Sequence, residues 1–144
     1  MASNFNLSED PIISIITVVY NNEEFIEHCI NSVINQDYHK IEYIIIDGGS
    51  TDNTLKIINK YKKNIDILVS EKDKGIYDAF NKGIRICKGD YIGFLNSDDY
   101  FASSKSVSLI ASAFKKNCID VIISNIKIID RKKSFLIRNV SSKN

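Results

Sequence analysis

Along the chain, runs of consecutive apolar residues alternate with stretches in which apolar positions recur every three or four residues. Ile12 to Tyr20 is a β-branched run, the composition of a central strand buried on both faces. Ile26, Cys29, Ile30, Val33 and Ile34 then fall at helical spacing, which predicts a helix ending near Gln36. Asn21 can cap that helix and Glu24 can answer it, as in a capping box. Glu42 to Ile46 predicts a second strand, Leu55, Ile58 and Tyr61 a second helix, and Ile65 to Val69 a third, short strand. Ile76, Ala79, Phe80, Gly83, Ile84 and Cys87 form the most regular helical stripe in the chain. Tyr91 to Leu95 reads as a fourth buried strand, and Val107, Ile110, Ala111 and Phe114 place a helix near Ser104 to Lys116. Asp120 to Ile129 and Phe135 to Val140 flank the turn Asp130-Arg131-Lys132-Lys133 and are expected to pair as a hairpin.

Strand and helix alternate four times, so the expected class is α/β: a three-layer sandwich with a mainly parallel, Rossmann-like sheet. In such folds ligands bind outside the carboxyl ends of the strands. Three of those ends are polar here: Tyr20-Asn21, Asp47-Gly48-Gly49 and Asn96-Ser97-Asp98-Asp99. Any one of them could be a loop. Three at one sheet edge look like a site.

Composition narrows the classes. The 144 residues suffice for one domain with a genuine core, 1–144, with 1–11 a loose N-terminal segment. Nineteen basic residues against eighteen acidic ones leave a net charge of +1, so bulk charge gives no support to nucleic-acid binding. The last third is more basic, as a solvated face or a surface for an anionic partner or membrane. Cys29, Cys87 and Cys118 are odd in number and widely spaced, fitting neither a disulfide framework nor a Cys-x-x-Cys metal pattern. Cys29 and Cys87 fall at apolar helix positions and read as small core residues. His28 and His39 read as surface residues. No signal peptide precedes Asp10 and no apolar run reaches the ~18 residues of a membrane span, so a cytosolic protein is expected.

The candidate chemistry lies at the strand ends. Asp98 and Asp99 follow a buried strand, where two like charges repel and lose solvation unless a cation or donor sits between them. Hard divalent cations take oxygen ligands, and need only one or two carboxylates when phosphates supply the rest. A solvated turn is the bland alternative. The glycines of Asp47-Gly48-Gly49-Ser50 allow a ligand close to the backbone, although neither a G-x-G-x-x-G nor a G-K-[ST] pattern is present. The alternative there is a tight strand–helix turn with Ser50 or Thr51 as N-cap. Asp78 and Asn81, three apart, share a helix face. Lys74 and Lys82 could meet phosphate or simply belong to an exposed charged face.

Several blocks in order carry a resemblance: Tyr20-Asn21, Ser32-Val33-Ile34-Asn35-Gln36, Ile46-Asp47-Gly48-Gly49-Ser50-Thr51-Asp52-Asn53-Thr54, the stretch Ser70-Glu71-Lys72-Asp73-Lys74-Gly75 running into Ile76-Tyr77-Asp78-Ala79-Phe80-Asn81-Lys82-Gly83, and Phe94-Leu95-Asn96-Ser97-Asp98-Asp99. From about Ile12 to Ile129 the chain resembles family 2 glycosyltransferases, in the bacterial branch that builds O-antigen and capsular polysaccharide. The resemblance implies a GT-A fold and transfer from a nucleotide-diphosphate sugar, most often a UDP-sugar. The acceptor would be a saccharide or lipid-linked molecule in cell-surface polysaccharide synthesis, with inversion. The donor-binding set it implies is Val18, Val19, Tyr20, Asn21, Asp47, Gly48, Asp78, Asn81, Asn96 and Ser97. Asp98 and Asp99 would hold Mg²⁺ or Mn²⁺, with Asn96 and Asp98 at the two ends of the family's Asp-x-Asp motif. The setting implied is cytoplasmic, with peripheral association at the inner face of a membrane and self-association left open.

Two positions depart from the family pattern. Gly48 stands where many relatives have a second Asp, and Asn96 replaces the first Asp of the metal motif. Inverting transfer also needs a base to take the acceptor's hydroxyl proton. After Asp99 the only acids are Asp120 and Asp130. Neither is persuasive, so the base is expected beyond Asn144, with residues 120–140 beginning an acceptor-binding part that the chain does not complete. A nucleotide-sugar-binding fragment without transfer is the alternative reading.

Overall fold

The computed structural model describes residues 10–117, 119–130 and 135–140. The β-branched runs become β1 (Ile13–Val19) and β2 (Ile41–Asp47), joined by the shorter β3 (Ile67–Ser70) and β4 (Tyr91–Asn96). All pairings among them are parallel and the order is β3-β2-β1-β4. Successive strands are linked by α1 (Ile26–Ile34), α2 (Thr54–Lys60) and α3 (Ile76–Ile86), and α4 (Ser106–Asn117) follows β4. The expected α/β sandwich with its mainly parallel sheet is therefore present. β5 (Ile126–Asp130) and β6 (Phe135–Val140) pair antiparallel as a separate two-stranded sheet. The hairpin forms as expected, and its turn at 131–134 lies outside the described residues, as does Cys118.

Side chains alternate across the strands and sort the core into two layers. Ile13, Ile15, Val19, Tyr43, Ile45 and Leu95 pack with Ile26, Cys29, Ile30 and Val33 of α1, Ile58 of α2, and Val107 and Ala111 of α4. Ile16, Val18, Ile44 and Ile46 face the other way, against Ala79, Phe80, Ile86 and Cys87 at α3. Gly83 lets α3 press onto β1, since a Cβ there would stand 2.6 Å from Ile16 Cγ2. Among the described residues α3 is the one helix packed on this side, and Ile76 and Ile84 of its apolar stripe are exposed.

Several local expectations need correction. α1 begins at Ile26 after Phe25 with no side-chain cap, so the Asn21/Glu24 capping box does not form. Asn21 instead adopts a left-handed backbone, φ 47°, and its side chain accepts from Thr51 N at 2.7 Å. Neither Ser50 nor Thr51 caps α2, whose N-cap position is Asn53. Asp120 to Asn125 is not strand; regular pairing starts at Ile126. Cys29 is buried as expected, whereas Cys87 is only partly buried at the end of α3. His28 and His39 are exposed.

Candidate functional site

The chain crosses to one side of β1 through α1 and to the other through α3, so the sheet's switch point lies between β1 and β4. Ligands of open α/β sheets bind in the crevice at such a point, at the carboxyl ends of the strands. Register puts Val18 beside both Ile46 and Asn96, and Val19 beside Asp47, which itself pairs with Ser70. Thus the ends of β1, β2 and β4 do meet at one edge. Val18 and Val19 are buried, while Tyr20 is 63% exposed at the mouth.

The loops after β1 and β2 are interlocked. Asn21 N donates to Ser50 Oγ at 2.8 Å and Asn22 N to Thr54 Oγ1 at 2.8 Å. Glu23 Oε2 accepts from Asn53 N at 2.7 Å, and Asp52 accepts from Glu23 N at 3.2 Å. Asn22 Nδ2 crosses the switch point to Ser97 Oγ at 2.7 Å, tying both loops to the end of β4. Asn22, Glu23, Asp52 and Thr54 were not among the residues expected at the site. Their signal was in the sequence, as polar side chains in two short loops predicted to end at the same edge.

Asp47 is fully buried, and its carboxylate is taken up internally: Ser50 Oγ donates at 2.5 Å, Ser70 Oγ at 2.6 Å and Ser50 N at 3.2 Å. Buried charge of this kind is tolerated because hydrogen bonds replace its water. In this arrangement Asp47 ties the loop after β2 to the end of β3, and through Ser50 to the loop after β1. Gly48 is the close-approach glycine expected, and what approaches is protein: a Cβ there would lie 2.6 Å from Asp73 Oδ2. Asp73 Oδ1 accepts from Gly75 N at 2.9 Å, so its half-buried carboxylate covers Gly48.

Asp78 sits in the first turn of α3, where it accepts from Lys74 N at 3.1 Å and lies 3.8 Å from Lys82 Nζ. Lys82 is paired more closely with Glu71, at 2.9 Å. These contacts brace the β3–α3 loop. Asn81 is exposed on the same helix.

The acidic turn closes the site. Asp98 and Asp99 are exposed, and Asp99 N donates to Asn96 O at 3.0 Å. Asn96 Nδ2 donates to Asp99 Oδ2 at 3.4 Å, and Asn96 Oδ1 is a buried acceptor without a hydrogen-bond donor. A buried unsatisfied carbonyl costs roughly 1–3 kcal/mol. The amide oxygen of Asn96 and the carboxylates of Asp98 and Asp99 are the type of oxygen ligand that a hard divalent cation takes. Among the described residues no three His, Cys, Asp or Glu side chains gather as a metal site. Any fit to a cation would therefore rest on the two exposed carboxylates and the Asn96 amide. The charge of this turn is felt beneath it: burial pushes the Cys29 thiol up to about 11, and Asp99 and Asp98 add to the rise, against hydrogen bonds with Thr17 and Tyr43 that lower it.

No helix among the described residues is long and apolar enough to cross a membrane. The sequence model of Glycosyl transferase family 2 matches residues 14–141. The chain is 39% identical over 113 residues to a chondroitin synthase of Escherichia coli, across 77% of this chain and 16% of that protein. Among solved structures, residues 1–349 of S. aureus TarS match with a TM-score of 0.69 at 28% identity, covering 74% of this chain and 33% of that one. The same TarS fragment in complex with UDP matches with a TM-score of 0.67 at 25% identity, covering 82% and 41%. This chain thus spans less than half the length of each.

Proposed function

The chain belongs to glycosyl transferase family 2, and from that premise we propose that it is the donor-binding domain of an inverting transferase. The donor is a nucleotide-diphosphate sugar, a UDP-sugar, and the acceptor a saccharide or lipid-linked molecule of a cell-surface polysaccharide. The proposed setting is the cytoplasmic side of a membrane, where a lipid-linked acceptor is met. The observation that carries the reading is the orphaned Asn96 Oδ1 in the turn that leads to Asp98 and Asp99, at the switch point of the sheet. The complex of TarS with UDP supports the choice of nucleotide.

Val18 and Val19, whose side chains are buried in opposite layers, would floor the base pocket through their backbone, and the exposed ring of Tyr20 would offer a face to the nucleobase. Asn21, Gly48 and Ser97 line it through backbone held by the interlocked loops. Asp47 supports this floor from below, through Ser50 and Ser70. Asp78 and Asn81 stand at α3, Asp78 bracing the loop that flanks the pocket. Asn96, Asp98 and Asp99 would hold Mg²⁺ or Mn²⁺ against the diphosphate. When bound, such an ion neutralises charge on the leaving nucleoside diphosphate.

Calorimetry with UDP tests this directly. Binding is expected only with Mg²⁺ or Mn²⁺ present, and Asp98→Ala should lose most of the metal-dependent affinity. Equal affinity for both proteins, with and without metal, would refute the assignment. A second reading, donor binding without transfer, is favoured by the position of Asp120. It is exposed on the irregular stretch before β5 and at the end of none of the parallel strands. A transfer assay with UDP-sugars and lipid-linked acceptors separates the two. Robust turnover abolished by changing Asp120 would overturn the second reading.

A further inference from the structure

The block Ser32-Val33-Ile34-Asn35-Gln36 has no task in donor binding as described, yet two of its side chains reach the segment that carries the acidic pair. Between the end of β4 at Asn96 and the start of α4 at Ser106 the chain has no regular structure. Two adjacent carboxylates open that segment, and mutual repulsion favours their spreading apart. Ser32 Oγ accepts from Phe101 N at 3.2 Å, two residues after Asp99, and donates to Cys29 O at 2.8 Å. The buried Gln36 donates through Nε2 to Ser103 O at 2.8 Å and to Ser32 O at 2.9 Å. Its Oε1 accepts from Val107 N at 3.0 Å, in the first turn of α4. The backbone of Asp37 adds a bond to Ser104 O at 2.8 Å.

Every polar atom of the Gln36 side chain is thus bound, as a buried amide requires. Its partners lie on either side of the irregular segment's second half, while Asn22 holds the first half through Ser97. We propose that the C-terminal turn of α1 is a latch: Ser32 and Gln36 are positioning residues for Asp98 and Asp99, and set how tightly that turn holds a divalent cation. The metal part of this rests on the donor-site reading above. The latch itself does not.

The test therefore has two arms. Amide hydrogen exchange is measured on the metal-free protein and on Ser32→Ala, Gln36→Met and Ser32→Thr. One hydrogen bond is worth about a twofold to tenfold change in a local opening equilibrium. Exchange across 97–107 is expected to quicken by about that factor in Ser32→Ala and by more in Gln36→Met, with β1 and β2 unchanged. Ser32→Thr, which keeps the hydroxyl, should behave as wild type. Mn²⁺ titrations at fixed UDP should then show about a tenfold higher Mn²⁺ requirement for Gln36→Met. Unchanged exchange at 97–107, or acceleration spread evenly over the sheet, would overturn the latch. Unaltered Mn²⁺ affinity despite a loosened segment would overturn its positioning role. If the wild type shows no metal-dependent UDP binding, the donor-site reading fails, and the exchange arm alone decides whether the latch exists.

Discussion

On one face of the sheet, α1, α2 and α4 cover the strands, and Ile26, Ile30, Val33, Ile58 and Val107 are at most 2% exposed. On the other face α3 is the one helix among the described residues, and Ile92 and Phe94 of β4 are 41% and 54% exposed. Phe94 meets only the edge of Phe80 among the ring contacts described, with centroids 4.8 Å apart. The closed face supplies stability, and through α1 it also reaches the site, since Asn22 precedes that helix and Gln36 follows it. The open face carries the side of β4 from which Asn96 projects. Rigidity thus comes from one layer and access to the acidic turn from the other.

The largest expected contrast comes from deleting core atoms. Ile30→Ala on the closed face should cost about 2–5 kcal/mol, and Ile84→Ala on the open face about 1 kcal/mol or less. Urea denaturation checks this, and equal losses would erase the distinction. Next in size is a pH effect, largest on the closed face. The Cys29 thiol is raised from 9.0 to about 11 in the folded protein. Its contribution is therefore complete below pH 9 and is lost as pH rises through 11, because the unfolded chain releases the proton first. The loss is of order 2–3 kcal/mol, and Cys29→Ala should lessen the fall in stability across that interval, while the raised Tyr43 and Cys87 keep part of it.

Much of this contrast was legible in the chain and part of it was not. Unbroken β-branched runs announced β1 and β2, because strands buried on both faces need no polar alternation. The regular stripe of α3 correctly gave a helix, but periodicity reports only which side faces inward. It cannot report that Ile76 and Ile84 lack a covering layer. The meeting of three polar strand ends at one edge was legible, whereas the wiring between them was not: Asn21 reads as a helix cap, yet the left-handed turn turns its side chain to Thr51. Asp47 was expected to face a ligand, and it lies beneath the site because Ser50 and Ser70 close over its carboxylate. Serines in loops give no forewarning of that.

A smaller effect sharpens the comparison at a place where the open face is tight. Gly83→Ala improves helix propensity by about 1 kcal/mol, but its Cβ would meet Ile16 Cγ2 at 2.6 Å. Net destabilisation of about 1–2 kcal/mol is expected by thermal unfolding, and a stabilised variant would show that α3 can shift away from β1. The smallest change is expected from Phe94→Thr: stability within about 1 kcal/mol of wild type, with less self-association in sedimentation. A large loss of stability would mean that the open face is covered in solution.

The most direct measurement is paramagnetic broadening of backbone amide signals by trace Mn²⁺ in the presence of UDP. The signals of Asn96 to Asp99 should fade first, followed by those of Tyr20 to Asn22 and Gly48 to Ser50, with Asp98→Ala abolishing the effect. Broadening centred instead on the acidic stretch Glu71 to Asp78, or broadening that Asp98→Ala leaves unchanged, would contradict a donor site at the switch point between β1 and β4.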